Sequence, residues 1–89
     1  MKHPIYVNLY TRTVCPLCEK AKDQLLKLAQ QFPLVINEID IYQNDRLLEK
    51  YHLMIPVVEI DGKEIDYGMI DVETIRRYLL ERDDEFVEH

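Results

Sequence analysis

The sequence predicts an α/β fold: a four-stranded mixed sheet flanked by three helices, in the order β-α-β-α-β-β-α. Three observations carry this prediction. An apolar, alternating run at 5–10 passes through a short loop into a helical pattern that starts at Pro16, and a second alternating run follows at 34–41. Asp61-Gly62 joins two further β-rich runs with almost no loop between them, which is a strong hairpin signal. Both cysteines of the chain, Cys15 and Cys18, fall at the first strand-to-helix junction.

Each element has its own reason. In the first run Ile5, Val7 and Leu9 alternate with Tyr6, Asn8 and Tyr10, and both faces are apolar enough for a central strand. Residues 11–14 form the loop. Proline suits a first helical turn, where its missing N–H has no partner to lose, so the helix begins at Pro16. Leu17, Ala21, Leu25, Leu28, Ala29 and Phe32 recur at near-helical spacing, Cys18 shares their stripe, and Pro33 ends the helix by Phe32. Cys18 is thereby expected to face the core, and Cys15 to sit at the solvent-facing helix start. The strand at 34–41 leads to Asn44 and Asp45, either of which can cap a short helix carrying Leu47, Leu48 and Tyr51 and closing at 52–54. Ile55-Pro56 precedes a third strand at 57–60, and the hairpin returns through 63–67 as an antiparallel neighbour. After Gly68, Asp71 caps a final helix with Val72, Ile75, Leu79 and Leu80 on its buried side. The first two strands, joined by a right-handed crossover, are expected to be parallel.

At 89 residues the chain is one domain, since a second core could not form on so short a length. That domain is placed at 1–82. Residues 83–89 lack period and bring acidic side chains where a helix C-terminus disfavours them, so they are set apart as a frayed acidic tail. With 47% hydrophobic and 31% charged residues the composition is that of an ordinary globular protein, and a net charge of −6 argues against nucleic acid or anionic membrane as a partner. No stretch approaches the ~20 apolar residues of a spanning helix, and none resembles the apolar core of a signal peptide. The expected location is cytoplasmic and the expected state monomeric.

In a reducing compartment a cysteine pair two residues apart is more readily catalytic or metal-binding than structural, and at the start of a βαβ unit it reads as a dithiol redox site. Position makes Cys15 the nucleophile: unpaired N–H groups and the helix dipole stabilise a thiolate at a helix start, and Arg12 adds a nearby positive charge. Zinc would require four ligands. Beyond the cysteines the chain offers only His3, His52 and His89, scattered without ligand spacing, so no metal site is expected.

Cys15-Pro16-Leu17-Cys18 after a first strand, Ile55-Pro56 before the third and Asp61-Gly62 before the fourth together resemble a glutaredoxin. More narrowly, the chain resembles the small glutaredoxin-like proteins of the thioredoxin superfamily, from about Ile5 to Leu80. The resemblance implies a thioredoxin fold and a thiol–disulfide oxidoreductase. Cys15 attacks, Cys18 resolves by closing a Cys15–Cys18 disulfide, and Arg12 and Pro16 support the thiolate at the helix start. It also implies a cis Ile55–Pro56 bond and a groove formed by Met54, Ile55, Pro56, Tyr67 and Gly68, in which Ile55 offers its N–H and C=O to an extended substrate. The implied partners are a disulfide-containing protein or a glutathione mixed disulfide, with no bound cofactor and glutathione as a candidate reductant. A glutathione-using glutaredoxin typically has a lysine near Arg12, Thr-Val-Pro in place of Met54-Ile55-Pro56, and Gly-Gly followed by Asp near Tyr67-Gly68. These departures leave the dithiol chemistry intact and bear on glutathione recognition. The alternative class is a thioredoxin-like adaptor whose cysteines sense redox state without turnover.

Overall fold

A computed structural model describes residues 3–87 of the chain. The elements run β1 (Ile5–Thr11), α1 (Pro16–Leu28), β2 (Leu34–Asp40), a 3-10 turn (Ile41–Gln43), α2 (Asp45–Tyr51), β3 (Val57–Ile60), β4 (Lys63–Tyr67) and α3 (Val72–Val87). This is the predicted order, and the sheet is the predicted mixed one. Its strands lie in the order β2-β1-β3-β4, with β1 parallel to β2 and antiparallel to β3. β3 and β4 are antiparallel, and Ile60 pairs with Lys63 across a two-residue turn. Asp61 and Gly62 both have positive φ, 56° and 78°, as the turn that matches the right-handed twist of a hairpin requires.

Side chains alternate across a strand, so β1 serves two cores. Ile5, Val7 and Leu9 pack with Ala21, Leu25 and Leu28 of α1 and with Ile75 and Leu79 of α3. Tyr10 faces the other way and joins Ile41, Tyr51 and Val57 beneath the 3-10 turn and α2. The functional junction therefore sits at the carboxyl end of a central strand clamped from both faces. Among the described residues, no helix is long and apolar enough to cross a membrane.

Three details differ from the sequence reading. α1 stops at Leu28 instead of Phe32: Gln31 and Phe32 both donate to the Leu28 carbonyl, which tightens the chain into a turn before Pro33. Leu17 and Leu80 are exposed although both were placed on buried stripes. The true stripes are Cys18-Ala21-Leu25-Leu28 and Ile75-Leu79, and a residue adjacent in sequence lies about 100° round the helix from them. Of the two caps expected for α2, Asn44 is the one used, with its side-chain oxygen accepting from the N–H groups of Arg46 and Leu47. Finally, α3 continues to Val87 through most of the stretch assigned to a frayed tail, because each residue added to a nucleated helix gains a backbone hydrogen bond. Positions 88 and 89 of that stretch lie outside the described residues.

Candidate active site

Cys15 is the residue that begins α1. Its backbone is extended at φ −142° and ψ 99°, and its sulfur accepts the Cys18 N–H at 3.2 Å. Pro16 follows as the first helical residue, so the turn around the sulfur has one fewer N–H to satisfy. Cys18 lies one turn on, only 4% exposed, and is joined to Cys15 as a disulfide with the Cα atoms 5.1 Å apart. The two sulfurs are thus unlike: Cys15 is half-buried at the helix start and Cys18 is enclosed by the core. Val14, immediately before, is 82% exposed and holds φ at +56°, a left-handed conformation that a β-branched residue adopts only under strain.

The disulfide opens onto a cleft of about 420 Å³ lined by Thr11, Arg12, Val14, the two cysteines, Glu19 and Glu38. Arg12 is the cation of this lining and the two glutamates are its anions. Glu38 is bound in turn by Lys22, with Nζ 3.0 Å from Oε2.

The remaining predicted residues form a second group. The Ile55–Pro56 bond is cis, as the resemblance implies, and Pro56 is buried. Met54 and Ile55 are half-buried against the Tyr10, Tyr51 and Val57 core. The Gly68 N–H is shared by the carbonyls of Met54 at 3.0 Å and Pro56 at 2.8 Å, which ties the loop after β4 to the proline segment. That loop borders α1: Gly68, Met69 and Ile70 face Leu17, Lys20, Ala21 and Gln24 across a notch of about 130 Å³. None of Met54, Ile55, Pro56 or Tyr67 lines the cysteine cleft. One expectation is corrected here. The Ile55 N–H donates to the Tyr51 carbonyl at 3.1 Å and is not left for a substrate, because α2 ends so close to the proline that its last turn captures the donor.

Residues 6–80 match the family described as Glutaredoxin-like domain (DUF836). The chain belongs to this glutaredoxin-like family. It is 29% identical over 75 residues to uncharacterized proteins of Mycobacterium tuberculosis and Mycobacterium bovis, covering 79% of this chain and 77% of each relative. Among solved structures it is similar to protein Ne2328 of Nitrosomonas europaea, with a TM-score of 0.79 and 26% identity over 88% of this chain and 94% of that one. It also shares the fold of thioredoxin 1 from Thermosipho africanus, at TM-score 0.60 and 22% identity over 88% and 98% of the two chains. The glutaredoxin-like assignment and the thioredoxin fold read from the sequence both stand.

Within this glutaredoxin-like site, sequence reasoning did not single out Thr11, Val14, Glu19 and Glu38. Glu19 had a local signal, four residues after Cys15 and so one helical turn above it. Glu38 had none: it enters through the parallel register that sets it opposite Leu9 near the carboxyl ends of the strands. Also unforeseen is a polar chain on the α2 face of the sheet. Asn37 donates to Asn8, Asn8 donates to Glu59 Oε1 at 2.8 Å, and the Tyr10 hydroxyl donates to the same oxygen at 3.0 Å. The Tyr10 ring is stacked on Tyr51 with centroids 4.7 Å apart, so it is a wall of the core and not of a groove. The Tyr51 hydroxyl donates to Glu64 at 2.7 Å, and Lys50 reaches the same carboxylate oxygen. Burial, together with the Glu59 carboxylate that accepts its proton, pushes the Tyr10 hydroxyl up to about 12. Among the described residues, no group of three or more His, Cys, Asp or Glu side chains could hold a metal ion.

Proposed function

We propose that the protein is a thiol–disulfide oxidoreductase working through the Cys15/Cys18 pair. The observation that carries this is the inequality of the two cysteines on one cleft: Cys15 caps a helix and is half-buried, whereas Cys18, one turn on, is only 4% exposed. In the reduced protein the Cys15 thiolate is stabilised by the Cys18 N–H, by the helix dipole and by Arg12, which together draw its pKa below the free value of ~8.5. The thiolate attacks one sulfur of a substrate disulfide, the other leaves as a thiolate that takes up a proton, and a mixed disulfide remains on Cys15. Cys18, deprotonated, then attacks Cys15 Sγ, forming the Cys15–Cys18 bond and expelling the second substrate thiolate. The substrate gains two electrons and two protons, and the protein loses them.

The proposed setting is the cytoplasm, with the protein acting as a monomer on disulfide-bearing partners. Reduction of a labelled peptide disulfide, with and without a recycling dithiol, tests the activity. Cys15→Ser is expected to abolish turnover, and Cys18→Ser to accumulate a mixed disulfide on Cys15 visible by intact mass. A Cys15 thiol that alkylates with an unperturbed pH profile, together with no turnover above the Cys15→Ser control, refutes the reading. Redox-dependent binding of a partner without turnover is the outcome that the adaptor alternative requires.

A further inference from the structure

The cysteine cleft does not end at the disulfide. Arg12, one of its walls, is also a wall of a second hollow of about 390 Å³, which it forms with Thr13 and Tyr42. Tyr42 is in turn a wall of a third, of about 470 Å³, bounded by Asp45, Leu48, Glu49 and His52. The three hollows adjoin through these shared side chains and form a trough from the start of α1, across the loop after β1, to the 3-10 turn and α2. Tyr42 stands at its middle, 57% exposed, with its backbone N–H held by Asp40 at 2.9 Å, so the fold fixes the residue and leaves its ring uncovered. At the far end Asp45 and Glu49 are both exposed and lie one turn apart on α2, at the spacing where like charges repel. Neither forms an ion pair with a described residue, and Lys50, the cation next to Glu49, is given to Glu64 instead.

We propose that this trough docks the partner protein, and that it takes an extended segment with its reactive cysteine at Cys15, an apolar side chain against the Tyr42 ring, and a lysine or arginine between Asp45 and Glu49. The proposal rests on the redox reading above and adds the chemistry of the partner. Continuity selects the occupant. A small disulfide fills the first hollow alone, whereas an extended chain advances about 3.3 Å per residue and passes from one hollow to the next while its cysteine stays at the sulfur. The trough runs away from the cis proline, since none of Met54, Ile55 and Pro56 lines any part of it. A half-exposed tyrosine offers a broad apolar face with a polar tip, the kind of side chain enriched where proteins meet. Charge decides the far end. A cation between Asp45 and Glu49 relieves their repulsion, and the lining there holds no lysine or arginine to oppose it. An acidic segment meets two carboxylates at the same place and is turned away.

The test uses synthetic peptides with one cysteine held as a disulfide to thionitrobenzoate, whose release as a coloured thiolate reports attack by the reduced full-length protein. A flank of leucine and two lysines follows the cysteine in one peptide and precedes it in another, and each has a counterpart with glutamates for the lysines. In one of the two orientations the lysine peptide is expected to react about tenfold faster than its glutamate counterpart, the worth of two exposed ion pairs, with the advantage shrinking as salt rises. Asp45→Asn with Glu49→Gln should bring that ratio to within about twofold of unity. Asp23→Asn with Glu81→Gln removes the same charge from exposed positions on α1 and α3 and should leave the ratio as in wild type. Equal losses in the two double variants mean that overall charge and not the trough attracts the lysines, which overturns the proposal. Tyr42→Ala should slow the favoured peptide by about threefold or more relative to a 2-mercaptoethanol–thionitrobenzoate disulfide, which has no flank to dock, and an unmoved ratio overturns the role of the ring. The peptide comparison on wild type decides even where a variant does not fold: equal rates with lysine and glutamate in both orientations overturn the proposal and leave the redox reading standing. Peptides that react no faster with reduced wild type than with Cys15→Ser refute the redox reading itself and the proposal with it.

Discussion

Replacing Tyr10 with Phe removes one hydroxyl from the place where β1 is tied to β3 just before the cis-proline segment. In the register Tyr10 stands opposite Val57, the residue after Pro56, and its hydroxyl donates to Glu59 Oε1 at 3.0 Å. The ring is 8% exposed, so the bond is little screened. A hydrogen bond to a charged acceptor contributes about 1.5–3 kcal/mol, and the lower end applies here because Glu59 keeps its bond from Asn8. The substitution should therefore cost about 1.5 kcal/mol near neutrality, or roughly 6–12 °C in Tm for a domain of this size. Tyr10 also carries a pH signature. Its pKa is raised from 10.0 to about 12, mainly by burial and then by the Glu59 hydrogen bond and charge, so the fold favours the protonated hydroxyl. That contribution is complete below pH 10 and is lost as pH rises through 12. Over this window wild type should lose up to about 2–3 kcal/mol more than Tyr10→Phe, at 1.36 kcal/mol per unit of pKa difference. Urea unfolding followed by circular dichroism at pH 8 and at steps up to 12 reads both quantities, and Tyr51 and Lys50 titrate in both proteins, so they largely cancel in the difference. The two stability curves should approach and cross. Parallel curves, or equal stability at pH 8, refute the reasoning.

Arg12→Ala should raise the pKa of the reduced Cys15 thiol, with the difference shrinking in high salt because the guanidinium is exposed; ultraviolet thiolate titration measures it, and identical titrations of the two proteins refute the role. Val14→Gly relieves the +56° φ of a β-branched residue and should stabilise the protein by about 0.5–1 kcal/mol after the larger unfolded-state entropy of glycine is counted, as urea midpoints will show. Asp61 is held by the Arg82 guanidinium and by the Tyr78 hydroxyl at 3.1 Å, and the Arg82 hydrogen bond lowers its pKa from the ordinary 3.8. A depressed carboxylate stabilises above its unfolded value and ceases to do so as pH falls through the folded one. Asp61→Asn should therefore cost about 1 kcal/mol at pH 7, a figure reduced for the partial exposure of the pair, and remove the matching part of the acid-induced loss below 3.8.

Much of the fold and the centre of the site are written in short-range pattern. The alternation of Ile5, Val7 and Leu9, the first-turn position of Pro16, the Asp61-Gly62 turn and the Asp71 cap each encode a backbone conformation through the residue itself and a few neighbours. The order of elements could be read from them for that reason. The division of Cys15 and Cys18 into an outer and an inner sulfur was legible too, since one turn of helix is enough to separate a cap from a stripe. Where stripes were drawn too wide, at Leu17 and Leu80, the error was one residue's rotation, which spacing alone resolves poorly.

What the sequence determined by itself was therefore the chemistry: two cysteines at a strand-to-helix junction, with a cation three residues before them. The tertiary structure alone decided what surrounds that chemistry. Glu38 reaches the cleft through the register of β2 on β1, Glu59 meets Tyr10 through the register of β3 on β1, and the Asp66 carboxylate closes on the Tyr67 and Asp71 N–H groups because the loop folds back over the end of β4. The Ile55 N–H looks free in the sequence, and only the backbone path out of α2 shows that it is spent on the Tyr51 carbonyl four residues earlier. Hydrogen-bond capacity belongs to the residue, but whether it is already satisfied depends on the partners that the folded backbone brings close.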